Sequence, residues 1–165
     1  MRTVSQVTWP DAMADTLTKE ARSERMSRIR GKNTRSELVV RRMVFRMGYR
    51  YRLHRADLPG KPDLVFPGRR SVIFVHGCFW HRHADPNCKL ARLPKSRLDF
   101  WEAKLSANQS RDERVQKQLA DAGWRILVVW ECELRNSEQL ENKLRHFLEG
   151  VCRPSNFSRE PGGSA

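Results

Sequence analysis

The stretch LPGKPDLVFPGRRSVIFVHGCFWHRH, residues 58–83, decides how the chain folds. Its first five residues hold two prolines and a glycine, which set the backbone as turns require. DLVF (63–66) then reads as a short strand, Pro67-Gly68 as a turn and SVIFVH (71–76) as a second strand, because β-branched and aromatic residues dominate both runs. Strands joined so closely pair antiparallel. From Gly77 to Pro94 no hydrophobic repeat is left, yet the segment carries two cysteines and two histidines. A loop of that length is functional or disordered.

Working outward, Tyr49, Tyr51 and Leu53 alternate with Arg50, Arg52 and His54, the period of a half-buried strand that would complete an antiparallel meander. Before it, Thr34-Arg35-Ser36-Glu37 reads as a capping box opening a helix with Val40, Met43, Val44 and Met47 on one face and Gly48 at its end. Beyond the loop, helical signals run over 97–106 and again over 111–122, ended by Gly123. WRILVVW (124–130) is a continuous apolar run that fits an interior strand buried on both faces. Ser137 can cap a last helix with Leu140, Leu144, Phe147 and Leu148 as its apolar stripe. Helix, three strands, helix, strand, helix predicts an α/β sandwich.

A chain of 165 residues has the size of one domain. Residues 1–20 lack sustained periodicity and the C-terminus has linker composition, so the expectation is a flexible arm (1–20), one domain (21–150) and a disordered tail (151–165). Basic residues number 32 against 19 acidic ones, a formal charge of +13, and arginine outnumbers lysine 24 to 8. Between Arg22 and Arg55 twelve basic residues face only Glu24 and Glu37. Guanidinium forks at this density suit phosphate oxygens, so a polyanion is the expected partner. A hydrophobic content of 39% with five tryptophans excludes a wholly disordered basic tail. No run approaches the roughly 20 apolar residues of a membrane span. The N-terminus shows no apolar leader, so an intracellular location and reduced cysteines are expected.

Reduced cysteines need a role. Cys78, His83, Cys88 and Cys132 would supply the four tetrahedral ligands of a structural zinc site and pin the long loop to the end of the apolar strand; the alternative is buried, inert thiols. Cys152 has no obvious partner. Asp63, entering its strand after Pro62, could hold a hard cation against phosphate oxygens, or be a turn residue.

The blocks RIRGKNTRSE (28–37), LPGKPDLVF (58–66), VIFVHGCFWHRH (72–83), PKSRLDFW (94–101), RD (111–112) and GWRILVVWECEL (123–134) occur in this order across residues 22–148. In them the chain resembles the very-short-patch repair (Vsr) DNA mismatch endonucleases. The resemblance implies a restriction-endonuclease-like core, a central mixed sheet flanked by helices with a zinc-stabilised loop, and a Mg2+-dependent enzyme that nicks one strand at T:G mismatches. Asp63 matches the family's magnesium aspartate. Val75 stands where threonine is common, at a position whose metal contact is a backbone carbonyl, so valine should be tolerated. His81 matches the histidine that activates water, unless it rather than His83 ligates zinc. His76, Glu37 and Asp112 match further active-site positions; their plain readings are a packed strand-end histidine, a cap and a solvated helix charge. Phe79, Trp80 and Trp101 match aromatic residues that wedge beside the mispair, although Trp101 with Leu98 and Leu105 would also suit a core. Mismatched double-stranded DNA is the implied partner of a cytoplasmic, nucleoid-associated monomer, with downstream repair proteins following it. The rivals are a non-catalytic zinc-stabilised DNA-binding module and a related nuclease with another DNA target.

Overall fold

Helix α1 (Arg35–Arg46) begins where the capping box predicts. In this computed structural model, which describes Thr18 and residues 32–150, the Glu37 N–H donates to Thr34 Oγ1 (3.2 Å) and the Thr34 N–H to Glu37 Oε1 (3.4 Å). Gly48, at φ +89°, turns the chain out of the helix in the left-handed region. The expected arm (1–20), tail (151–165) and Cys152 fall outside the described residues, Thr18 excepted.

Strands β1 (Leu64–Phe66) and β2 (Ser71–His76) pair antiparallel, Leu64 opposite Ile73, and β2 pairs in parallel with β3 (Arg125–Trp130), Ser71 opposite Arg125 and His76 opposite Trp130. The sheet is therefore mixed, with β2 in the centre. A parallel pair needs a long crossover, supplied by the loop after β2 and helix α2 (Leu98–Asp121). Side chains alternate across β2. Ile73 and Val75 meet α1 and helix α3 (Ser137–Glu149) through Val40, Val44, Leu140, Leu144 and Leu148, whereas Val72 and Phe74 meet Leu119 of α2. No helix among the described residues is long and apolar enough to cross a membrane.

Four expectations are corrected. Of the strand over residues 49–54 only Arg52 pairs, exchanging two 2.8 Å hydrogen bonds with Val65: on one side β1 ends at Phe66, before Pro67, and on the other His54 takes φ +44°, its N–H reaching only the Pro62 carbonyl (3.2 Å). The helices expected at 97–106 and 111–122 are one, since the polar interval between them holds neither glycine nor proline to break the ladder. WRILVVW is not an interior strand buried on both faces: β3 lies at the sheet edge among the described residues and only its Val129 is fully buried. Beyond that edge the Lys143 ammonium donates to the Val128 carbonyl (3.1 Å). The strands buried at every position are β2 and the shorter β1. Asn136, not Ser137, caps α3, its Oδ1 accepting the Gln139 N–H (3.1 Å).

Gly60, in the turn before β1, has φ +69°, and a Cβ there would lie 2.4 Å from Val115 Cγ1 on α2. Gly60→Ala is expected to cost about 2 kcal/mol through overpacking and backbone strain, a melting point lower by roughly 4–8 °C. Gly68→Ala, where a Cβ meets nothing within 4 Å, is the control. Equal melting curves for the two variants would show that the turn is not seated on α2.

Candidate active site

The end of β2 delivers its last residues into a cleft of about 850 Å3, walled by the turn before β1, the start of α1 and the middle of α2. Asp63 enters it just before β1, where its Oδ2 accepts the Val75 N–H (2.7 Å). Burial pushes the Asp63 carboxyl up to about 6, and the negative charge of Glu37 adds to the shift. From β2 comes His76, and after a tight turn closed by His81 N–H to Gly77 O (3.1 Å) comes His81, whose ring stacks on that of His76 at 3.8 Å and 11°.

His81 Nδ1 is hydrogen-bonded to Asp112 Oδ2 of α2. An ionised carboxylate only accepts, so Nδ1 carries a proton, and in the neutral form of the ring Nε2 is the nitrogen with the lone pair. Burial alone would raise the Asp112 carboxyl, but the hydrogen bond and charge of His81 outweigh it and hold the group below its ordinary range. Burial, helped by nearby His81, pushes His76 down to about 4, so His76 is neutral at pH 7. Glu37 is both cap and cleft wall. Its Oε2 also accepts from the Asn33 N–H (3.0 Å) and from Arg41 Nη2 (2.7 Å).

The two neighbouring histidines part company. Arg82 takes φ +48°, and whereas His81 goes to Asp112, His83 goes to the thiols. The ligand atoms of Cys78, His83, Cys88 and Cys132 all lie within 4.8 Å of one another. His83 Nδ1 is 3.5 Å from Cys132 Sγ, the Cys132 N–H donates to Cys78 Sγ (3.4 Å), and the His83 ring stacks on Trp130 at 4.3 Å. Burial pushes the Cys78 thiol up to about 12, whereas a hydrogen bond with His83 draws Cys88 down to about 7.

Phe79, Trp80 and Trp101 also converge. Phe79 lies 5.0 Å from Trp80 and 5.2 Å from Trp101, ring edges meeting ring faces, so Trp101 packs with the loop aromatics. Three neighbours escape a reading of the sequence alone. Phe100, 46% exposed, extends the aromatic cluster, and Lys104 holds its ammonium 5.7 Å from the Trp80 ring centre. His54, which has the pattern of an outward strand residue, lines the cleft instead. Phe100 and Lys104 sit in one helical turn with Trp101, a spacing that could have revealed them.

A family model described as "DNA mismatch endonuclease Vsr" matches residues 14–88. The chain is 53% identical over 137 residues to the type II nicking enzyme V.XorIIP of Xanthomonas oryzae pv. oryzae, covering 83% of this chain and 98% of that one. It is 41% identical over 142 residues to the DNA mismatch endonuclease Vsr of Escherichia coli (85% and 89% covered) and 37% identical over 139 residues to the type II nicking enzyme V.NmeAIP of Neisseria meningitidis (84% and 97%). The kinship therefore extends past the family model's match, through the helix bearing Asp112 and the strand before Cys132, and the chain belongs to the Vsr family of DNA mismatch endonucleases, hydrolases of phosphodiester bonds.

Proposed function

We propose that this endonuclease nicks one strand of duplex DNA beside a thymine mispaired with guanine, as the first step of very-short-patch repair. The observation that carries the reading is the meeting, in one cleft, of a buried carboxylate, Asp63, with a histidine whose Nδ1–H is fixed by a second carboxylate, Asp112.

Asp63 and the backbone carbonyl of Val75 would hold Mg2+. The donors are hard oxygens, as that ion requires, and Asp63 is a desolvated carboxylate with a single N–H to satisfy it. In extended backbone a residue's N–H and C=O leave on the same side of the strand; the Val75 N–H faces Asp63, so its carbonyl does too, and valine serves there as well as threonine. Bound there, Mg2+ would offset charge on the phosphate oxygens and the departing oxygen. His81 Nε2 takes the proton of the attacking water, and Asp112 steadies the imidazolium that results. His76, neutral and stacked, fixes the plane of the His81 ring. Glu37 walls the cleft from the N-terminus of α1.

Lys104 and Arg111, at the cleft wall, and the basic residues between 22 and 55 other than the buried Arg41 hold phosphates. Phe79, Trp80 and Trp101 wedge into the stack where a mispair makes unstacking least costly. Cys78, His83, Cys88 and Cys132 hold zinc as a structural clamp, because four protein ligands leave no open position. The catalytic unit is the 21–150 domain on a restriction-endonuclease-like core, a cytoplasmic, nucleoid-associated monomer that passes its nick to later repair proteins.

A nicking assay on matched duplex and on each mismatch, with Mg2+ and with chelator, tests the reading. Metal-dependent nicking of T:G is expected, with Trp80→Ala losing roughly tenfold or more on the mismatch through the lost stacking. Equal cleavage of matched and mismatched duplex would refute the specificity. V.XorIIP and V.NmeAIP are type II nicking enzymes, which favours a second reading, a related nicking enzyme with another DNA target; the same assay across mismatches and varied flanks decides it.

A further inference from the structure

Arg41 and His54 lie outside the catalytic machinery, yet they bridge its two walls. Arg41, only 6% exposed on α1, donates from Nη1 to Asn33 Oδ1 (2.6 Å) and from Nη2 to Glu37 Oε2 (2.7 Å). The same Nη2 lies 2.9 Å from His54 Nε2. On the other side of the ring, His54 Nδ1 lies 3.9 Å from Asp63 Oδ1.

The chemistry of these groups leaves one arrangement. A guanidinium has five donors and no acceptor, so His54 Nε2 must present its lone pair to Arg41. A neutral imidazole with a bare Nε2 carries its proton on Nδ1, the nitrogen beside Asp63. Free histidine in water prefers the opposite tautomer, so the arginine selects the less common form. The backbone supports the placement, because His54 sits at φ +44° between the turn residues and the Arg52 bridge.

We propose that Arg41 and His54 are a positioning pair for Asp63, in which Arg41 locks His54 as the Nδ1–H tautomer and that N–H orients the free oxygen of the Asp63 carboxylate. The inference rests on the reading of Asp63 as the magnesium ligand. Val75 N–H holds only Oδ2, and a carboxylate held at one oxygen can rotate about that contact. A second donor on the Oδ1 side fixes its plane. At 3.9 Å the contact is longer than a hydrogen bond, as catalytic contacts often are before substrate and metal tighten them. Partners of this kind around a metal ligand are worth about 10- to 100-fold in metal affinity or activity.

The first test needs no activity. A long-range 1H–15N spectrum of the zinc-loaded, Mg2+-free protein should show His54 protonated at Nδ1, and an Nε2–H pattern there overturns the proposal. Mg2+ titrations of nicking supply the second. His54→Leu should raise the Mg2+ concentration for half-maximal nicking about tenfold, a larger effect than on the rate at saturating Mg2+. His54→Asn, whose amide N–H can stand near the Nδ1 position, should recover most of the loss, whereas His54→Gln, which extends toward Arg41, should not. A merely structural histidine would not distinguish the two amides, so equal recovery overturns the pair. Asp63→Asn run alongside separates the two failures. If it titrates as the wild type does, the metal reading of Asp63 fails and the pair's role with it; an inactive Asp63→Asn beside an unaffected His54→Leu overturns the pair alone.

Discussion

Asp63→Asn is expected to lose nicking by roughly a thousandfold or more and yet to melt at a higher temperature than the wild-type protein in the absence of Mg2+. Folding buries the carboxylate, and its pKa rises from an ordinary 3.8 to about 6. The folded state therefore holds this proton more tightly than the unfolded chain does. Below about pH 4 both states carry it and there is no penalty; between about pH 4 and 6 the penalty grows as pH rises; above that it is complete, at about 3 kcal/mol for a shift of this size. Asparagine keeps an oxygen to accept the Val75 N–H and removes the charge. Unfolding curves should show the variant ahead at pH 7.5 and level with the wild type near pH 4. Mg2+ should then raise the melting point of the wild type and leave the variant where it is, because only a ligand bound to the folded state stabilises it. A variant less stable at pH 7.5 would mean that Asp63 is a structural acceptor, not a strained ligand awaiting its ion.

The features legible in the sequence are those written in neighbouring residues. The Thr34–Glu37 box, the helix ends at Gly48 and Gly123 and the β1–β2 pair are all set by contacts within a few positions. The errors arose where tertiary placement decides. Residues 49–54 have the alternation of a strand, and Tyr49 and Tyr51 do pack on the core, but pairing needs a backbone that stays extended, which His54 ends. WRILVVW is apolar throughout, and that composition says nothing of which strand takes the centre of the sheet. In the site, the series from Asp63 to His83 carried most of the chemistry because one strand and one turn bring it together. His83 joins the zinc set through its nearness to the cysteines in the sequence and His81 the active site through family resemblance, and the structure ties the divergence of the two rings to Arg82. The Arg41–His54 contact joins a helix to an irregular segment thirteen residues on, with no periodic signal to announce it.

Cys78→Ser is expected to remove the bound zinc and with it the folded loop, a far larger loss of stability than Gly60→Ala brings. Residues 77–94 contain one short 3-10 turn, Lys89–Ala91, and no strand, so little backbone pairing holds them. What does hold them is the convergence of Cys78, His83 and Cys88 on Cys132, which lies in the turn after β3. Without a cation the cluster holds little: Cys78, fully buried and pushed up to about 12 by burial, keeps its proton, and neutral thiols make only weak contacts. Structural zinc contributes on the order of 10 kcal/mol, comparable with the whole stability of a domain at roughly 5–15 kcal/mol. Elemental analysis should find one zinc per chain in the wild type and in a Cys152→Ser control, and none in Cys78→Ser. Because the loop also carries Phe79, Trp80 and His81, loss of zinc should abolish nicking in a way that excess Mg2+ does not restore, whereas Zn2+ and Mg2+ together do. That pattern separates the two metals, since removal of Mg2+ alone is reversed by Mg2+. A zinc-free protein that melts at the wild-type temperature and nicks with Mg2+ alone would reduce the four residues to buried thiols beside a histidine.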